Sequence, residues 1–129
     1  MAHANGARTV EAAALAGVDS VEHGAYQDEA SLAAMAENRV IWVPTLSTIG
    51  NLRGKGRFRE EAVRGILESA LENVENYVNL NGLLAPGSDA GAWAVPHGCR
   101  TEYELLESIL GSRTRQILTR GAQAVQERF

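Results

Sequence analysis

The sequence predicts an α/β fold with a parallel sheet, in which strand-like and helix-like segments alternate along 129 residues. Alanine-rich or amphipathic stretches recur between short β-branched ones, and this alternation is typical of βαβ units. The stretch RVIWVPTL is apolar almost throughout, as expected for a parallel strand that is buried on both faces. Because a complete (β/α)₈ barrel needs about 250 residues, we expect these parallel βα repeats to form about half of a TIM-like (β/α)8 barrel.

The first half of the chain predicts three strands and two helices. A strand end around His3 precedes an alanine-rich helix, for which Gly17 is the expected C-terminal cap. VDSVEHG is the second strand, DEASLAAMAEN is a helix with Asp28 as its N-cap, and RVIWVPTL is the third strand. The spacing of apolar residues predicts inner helix faces that comprise Val10, Ala13, Ala14 and Leu15, and then Leu32, Met35 and Ala36.

The second half begins with a polar, glycine-rich stretch, STIGNLRGKGRFR, which predicts a long loop. Its Gly54-Lys55 pair does not predict a phosphate-binding loop, because Gly50 lies one residue too close and Gly56 stands where Ser or Thr is needed. A solvated loop is the first interpretation of its basic residues, and an anion site for a substrate carboxylate is the second. These residues are Arg53, Lys55, Arg57 and Arg59.

Apolar residues then recur at intervals of three and four, which predicts a long amphipathic helix from Glu60 to Asn81. LLAPGSDAG predicts a strand that runs into a loop, and Pro86 within it fits an edge strand better than a central one.

Two helices close the predicted fold. Thr101 and Glu104 have the spacing of a capping box for the helix EYELLESIL. A last helix is expected from about Arg113 to Val125.

Composition limits the classes of function. Twelve Lys and Arg stand against sixteen Asp and Glu, a net charge of −4 that argues against a nucleic-acid partner. No apolar run approaches the roughly 20 residues of a membrane span, and the single cysteine, Cys99, excludes an internal disulfide. Since the N-terminus also lacks a signal-peptide pattern, we expect a single cytoplasmic domain over residues 1–129 without membrane contact.

Three candidate metal ligands stand at predicted strand ends: His3, His23 and Asp89. The carboxyl ends of parallel strands meet at one edge of the sheet, and imidazole and carboxylate oxygen suit zinc. A surface or capping role remains the alternative for each histidine, and turn chemistry for Asp89. His97, in the loop after the last strand, is a candidate to face substrate rather than metal. Cys99 is interpreted as an ordinary thiol.

The stretch from His3 to Leu46, followed by GSDAGAWAVPHG, resembles the C-terminal half of the barrel of the metal-dependent amidohydrolase superfamily. The imidazolonepropionase-like and Xaa-Pro dipeptidase-like (prolidase) amidohydrolases are the most similar in pattern. The resemblance covers nearly the whole chain and is carried by two motifs, the EHG and GSDAG strand ends with a following PHG. It implies a partial metallo-hydrolase barrel comprising about barrel strands five to eight.

The resemblance also implies roles for individual residues. His3 would be the metal ligand that ends strand five, His23 the ligand that ends strand six, and Asp89 the catalytic strand-eight aspartate that contacts metal and handles protons. Tyr26 and His97 match positions near substrate. The implied reaction is hydrolysis of the C–N bond of a dipeptide or cyclic amide by metal-activated water, with zinc as the expected metal and one or two ions per intact site.

Such an enzyme also has ligands on strands one and four, a His-x-His pair and a carbamylated lysine or carboxylate, which this chain does not contain. A half-barrel has an apolar inner face and two edge strands, so we expect a homo-oligomer or a complementing N-terminal half-barrel chain. The alternative interpretation is a catalytically inactive fragment that persists as an oligomeric or partner-binding half-barrel.

Overall fold

The computed structural model describes residues 1–91 and 93–129. Its strands form one parallel sheet in the order β1-β2-β3-β4, which confirms the predicted α/β class. Ala92, inside the GSDAGAWAVPHG motif, lies outside the described residues. The elements of the described residues are β1 Ala2–Ala4, α1 Ala7–Leu15, β2 Ser20–His23, α2 Glu29–Glu37, β3 Ile41–Val43, α3 Ser47–Gly50, α4 Glu60–Asn79, β4 Leu83–Leu84, α5 Thr101–Leu110, a 3₁₀ turn Gly111–Arg113, and α6 Thr114–Arg128.

Helices cover both faces of the sheet, and α6 contributes to both. On one face, buried residues of every strand join the main core, which α1, α2, α4, α5 and Leu118 of α6 complete. On the other face, a smaller cluster of Ile41, Leu83 and Ala85 is covered by Ala124 and Val125 of α6. Because partners in parallel register point to the same face, the main core receives Val21, Trp42 and Leu84 together.

The ends of the first two helices follow the predictions, with one exception. Asp28 caps α2 by accepting a hydrogen bond from the Ser31 backbone N–H at 2.9 Å, and Gly17 follows α1 with φ +80°. Leu15 is wrong as an inner residue, since 68% of it is exposed. It lies five positions after the buried Val10 and therefore on the other side of a 3.6-residue helix.

The predicted capping box at Thr101 is wrong. Thr101 is the first residue of α5, and Arg100 takes the N-cap position without a side-chain cap. The Thr101 hydroxyl donates instead to Asn51 Oδ1 at 2.8 Å, and Glu104 lies 3.9 Å from Arg100 Nε. The Thr101 hydroxyl therefore bonds to the distant Asn51 instead of capping its own helix.

Other boundaries also differ from the prediction. The long loop contains α3 at its start, since Gly50 brings that turn against Leu105 of α5. The long helix ends at Asn79 rather than Asn81, and α6 runs beyond Val125 to Arg128. Strand β4 has only two residues, so Pro86 lies beyond it.

Helix α6 covers the outer edge of β4. The Trp42 carbonyl of β3 accepts a hydrogen bond from the Ala85 N–H at 2.9 Å. Because successive residues of a strand direct their N–H and C=O groups to opposite edges, those of Leu84 point away from β3. Gly121 packs there against the Leu84 carbonyl. Further along α6, Arg128 donates to the carbonyls of Asp19 and Arg39, which precede β2 and β3, at 2.9 and 2.7 Å. The chain therefore protects this edge with its own helix, one of the ways in which proteins avoid edge pairing.

Within the described part of the chain, no helix is both long enough and apolar enough to cross a membrane.

Tyr77 links α4 to the start of β3 and predicts an alkaline loss of stability. Its ring is fully buried and its hydroxyl donates to the Val40 carbonyl. Burial raises the pKa of Tyr77 to about 12, whereas an unfolded chain has a tyrosine pKa near 10. The native state therefore keeps a proton that the unfolded state loses, so about 2–3 kcal/mol of stability is present below pH 10 and is lost as the pH rises to 12.

The test compares wild type with Tyr77→Phe by urea unfolding between pH 8 and pH 12. We expect the free energy of unfolding of wild type to fall more steeply above pH 10 than that of the variant. Lys55 is the only lysine, so few other groups titrate in this window. Parallel curves for the two proteins would contradict the burial of the Tyr77 hydroxyl.

Candidate functional site

The ends of β1 and β2 bring two imidazoles together. Nδ1 of His3 lies 2.9 Å from Nε2 of His23, and the ring centroids are 4.2 Å apart in an edge-on arrangement. Strands β1 and β2 pair in register as far as Ala4 and His23, which fixes the two strand ends side by side. The ring nitrogens thus share a proton or face a common third partner.

His23 is held in place by two neighbours from β3 and the turn after it. Its Nδ1 lies 2.8 Å from the Thr45 hydroxyl, and its carbonyl accepts a hydrogen bond from Trp42 Nε1 at 2.9 Å. With Nδ1 engaged by Thr45, Nε2 is the nitrogen that faces His3. An outer partner that orients a ring in this way is a common feature of metal-binding histidines.

Four residues at this edge of the sheet have positive φ angles: His23 at 69°, Tyr26 at 61°, Thr45 at 49° and Asp89 at 56°. Such angles are uncommon for residues other than glycine, and least favourable for a β-branched residue such as Thr45. Backbone strain of this kind concentrates at functional sites. All four residues line one cavity, so the strained backbone and the cavity coincide.

The cavity has a volume of about 470 Å³ and two different walls. The imidazoles of His3 and His23, with the carboxylate of Asp89, belong to the polar wall. The opposite wall is apolar and comes from α3, α4 and the segment between them: Ile49, Leu52, Phe58, Val63 and Ile66. A ligand with one polar and one apolar end fits such a cavity.

Asp89 shares this cavity without joining a compact ligand cluster. Among the described residues, no group of three or more His, Cys, Asp or Glu side chains is close enough to hold a metal ion. Strand β4 ends at Leu84, so the prediction that Asp89 stands at a strand end is wrong, and an irregular segment containing Pro86 carries the carboxylate. Ser47 Oγ donates to the carbonyl of Ser88 at 2.8 Å and thereby fixes this segment directly before Asp89.

The local electrostatics favour a neutral His23. Burial lowers the pKa of His23, and the adjacent His3 lowers it further, while Asp89 and Glu22 act in the opposite direction. Neutral imidazole is the form that binds metal ions.

The two histidines fit a divalent cation in chemistry and nearly in spacing. Two imidazole nitrogens on one tetrahedral zinc ion, each at about 2.0–2.1 Å, lie roughly 3.3 Å apart. The His3 and His23 nitrogens are at 2.9 Å, so a small rotation of the exposed His3 ring would suffice. These residues supply two ligands, and Asp89, which lines the same cavity, is the candidate for a third.

The two predicted substrate-side residues have different positions. Tyr26 is 62% exposed and lines the cavity. His97 is exposed beside Gly91 and is absent from the described lining of the cavity. From the basic stretch, Arg57 lies 4.5 Å from the ring centroid of Trp93, which brings the segment before α4 against the loop after β4.

Sequence reasoning missed three residues that support the site: Thr45, Trp42 and Glu102. Thr45 follows Pro44 at a strand end, a position from which a polar side chain reaches the same edge as His23. Trp42 was assigned only to a buried strand, because a pattern of apolar residues does not show where the indole N–H points. Glu102 is fully buried, whereas the sequence pattern of an amphipathic helix places a charged residue on the exposed face.

Several solved structures share this fold. An uncharacterized protein matches with a TM-score of 0.78 and 30% identity, over 98% of this chain and 33% of its own. A prolidase complexed with N-methylphosphonate-L-proline gives the same TM-score, identity and coverage. A Xaa-Pro dipeptidase with bound methionine in the active site matches with a TM-score of 0.77 and 24% identity, over 96% of this chain and 33% of its own.

No protein-family profile matches the chain, and no curated protein matches it either. The chain spans about a third of the length of the solved structures that it matches. These likenesses support a relationship between this chain and a segment of Xaa-Pro dipeptidase or prolidase chains.

Proposed function

We propose that this chain forms the strand five to eight part of a dipeptidase-like amidohydrolase barrel and contributes metal and substrate contacts to its active site. The contact between the His3 and His23 imidazoles at 2.9 Å carries the proposal. It lies at the strand-end edge of a parallel sheet, in a cavity that also contains Asp89. The likeness to a third of a prolidase supports the same assignment.

In this proposal, the residues that line the cavity have different roles. His3 and His23 hold a divalent cation, with zinc as the first candidate, and the intact site contains one or two such ions. Such an ion would supply Lewis-acid chemistry, which would lower the pKa of a water molecule from about 15.7 toward 7 and polarise the substrate carbonyl. Asp89 accepts a proton from the attacking water and delivers it to the leaving nitrogen as the C–N bond breaks. Tyr26 contacts polar substrate groups, and a role for His97 requires the loop after β4 to approach the cavity.

The proposed substrate is a small amide with an apolar side chain, such as an Xaa-Pro dipeptide. The apolar wall from α3 and α4 receives the side chain, and the polar wall receives the scissile amide. The prolidase and Xaa-Pro dipeptidase likenesses support this class of substrate.

The first test measures zinc binding by titration calorimetry. Replacing His3 or His23 with alanine is expected to weaken zinc binding at least tenfold, because second-shell changes alone cost 10–100-fold at such sites. Asp89→Asn is expected to weaken it less and to remove hydrolysis of a Met-Pro dipeptide. Glu37→Gln, a carboxylate change at the exposed end of α2, is the matched control for Asp89→Asn and should bind zinc as wild type does.

Zinc affinity that is unchanged in both histidine variants would contradict the metal site. The particle mass in solution, measured with and without zinc, tests the expected self-association. Zinc binding without hydrolysis at any concentration of the chain favours the second candidate, an inactive half-barrel that binds a partner. The lack of a three-ligand cluster among the described residues is the observation in its favour.

A further inference from the structure

Glu102 is a buried acid that the proposed reaction does not use. It lies in the first turn of α5 with no exposed surface. Its Oε2 accepts a hydrogen bond from the Ser47 backbone N–H at 2.7 Å, while Oε1 has no partner among the described residues. Burying a carboxyl group is costly unless it is well paired, and burial raises the pKa of Glu102 despite the bonds from Ser47 and Leu46. An apolar residue would fill this position at lower cost.

The segment that Glu102 holds connects two candidate ligands. This segment, Thr45–Ser47, leads from β3 into α3. At one end the Thr45 hydroxyl lies 2.8 Å from Nδ1 of His23. At the other end Ser47 Oγ donates to the Ser88 carbonyl at 2.8 Å, directly before Asp89. One short turn therefore fixes the end of β2 and the segment after β4.

The turn contains a strained residue and an N–H group that depends on another element. Thr45 has φ +49°, an angle that is unfavourable for a β-branched residue. Helix α3 has four residues and no side-chain cap of its own. The N–H groups of Thr48 and Ile49 bond to local carbonyls, whereas that of Ser47 bonds to an acceptor on another element. Glu102 provides that acceptor from a second element.

We infer that Glu102 is a positioning residue, which sets the relative placement of His23 and Asp89 by anchoring the Thr45–Ser47 turn. The inference rests on the proposed function, since the placement of His23 and Asp89 matters only if they bind a ligand. The hydrogen bond between Ser47 and Glu102 can nevertheless be tested in the metal-free chain, because it does not depend on a bound ion.

The test uses NMR of the metal-free full chain, with the ¹⁵N shifts of the His23 ring and the backbone amide shifts of Asp89 as readouts. Glu102→Leu should move both signals, because it leaves the Ser47 N–H without an acceptor. Glu102→Gln keeps an acceptor oxygen and should restore both signals close to wild type. Ser47→Ala keeps the backbone bond to Glu102 and should move Asp89 while leaving the His23 ring unchanged.

Glu107→Leu is the matched control, because Glu107 is exposed on the same helix; it should move neither signal. Unchanged His23 and Asp89 signals in folded Glu102→Leu would overturn the inference. If that variant does not fold, Glu102→Asp takes its place, because its shorter side chain withdraws the acceptor from the Ser47 N–H; unchanged His23 and Asp89 signals in it overturn the inference. A zinc titration of the same variants then separates the two proposals. A wild type that binds no zinc refutes the proposed metal site and leaves the NMR result for the anchor intact.

Discussion

Replacing Gly121 with alanine is expected to lower the free energy of unfolding by about 2–3 kcal/mol or more, because a Cβ has no room there. A Cβ at Gly121 would lie 2.9 Å from the Ala85 Cα and closer still to the Leu84 carbonyl group. These neighbours are backbone atoms of the sheet, which cannot rotate away as a side chain does. Helix α6 would have to move off β4, which would expose the strand edge and the small cluster around Ile41.

Gly65→Ala is the matched control for this change. Gly65 is also inside a long helix, α4, but apart from its own neighbours in the helix, none of the described residues places an atom within 4 Å of a Cβ at this position. Alanine is favoured over glycine in a helix by roughly 0.5–1 kcal/mol, so this variant should gain stability. Urea unfolding of both variants measures the difference. Equal effects of the two substitutions would show that α6 does not pack on the β4 edge as described.

If the Gly121 variant stays folded, its particle mass reports on the exposed edge. Open strand edges pair with other chains, so we expect Gly121→Ala to associate more strongly than wild type at the same concentration. Size-exclusion chromatography with light scattering measures this directly. A less associated variant would indicate that α6 itself mediates self-association.

The elements that pack by simple periodicity were predictable from the sequence. Helix α4 shows its buried face as a three-and-four repeat, and that face is buried in the structure. Asp28 is a local cap, since its partner Ser31 lies three residues away, so composition and spacing were sufficient. The parallel order of the strands follows from their alternation with helices.

The errors occur where a distant partner overrides a local preference. Thr101 has the sequence of a capping residue, but Asn51 offers its hydroxyl a tertiary hydrogen bond. Strand β4 stops after two residues, and beyond it Gly87 brings its backbone against the Val43 side chain. Neither partner lies within the window that a sequence pattern covers.

In the candidate site, too, some residues could be predicted from the sequence and others could not. Their positions at predicted strand ends indicated His3, His23 and Asp89 as candidates, the resemblance implied their roles, and the structure places all three around one cavity. The residues that hold them there could not be recognised, because their roles depend on contacts between positions far apart in sequence. Glu102 and Ser47 are 55 residues apart, and Trp42 of β3 donates to His23 on the neighbouring strand β2.

Trp42 is the residue through which the core and the candidate site are coupled, and its replacement by alanine is expected to cost about 3–5 kcal/mol. Its indole is 1% exposed and meets the Tyr77 ring edge-on, with centroids 5.5 Å apart. Gly24 lies directly against the indole, where a side chain would clash with it. A domain of this size has a total stability of roughly 5–15 kcal/mol, so Trp42→Ala should be marginally folded.

Trp42→Phe separates packing from hydrogen bonding. It keeps most of the ring volume but leaves the His23 carbonyl without its donor, a loss of roughly 1–3 kcal/mol if no water replaces it. We expect it to retain more stability than Trp42→Ala while shifting the ¹⁵N signals of the His23 ring. Trp93→Ala is the control, since Trp93 is 64% exposed, and circular dichroism follows unfolding in all three variants. An equal loss of stability at Trp42 and Trp93 would contradict the core described here, whereas an unmoved His23 ring in Trp42→Phe would remove the link between that core and the candidate metal ligand.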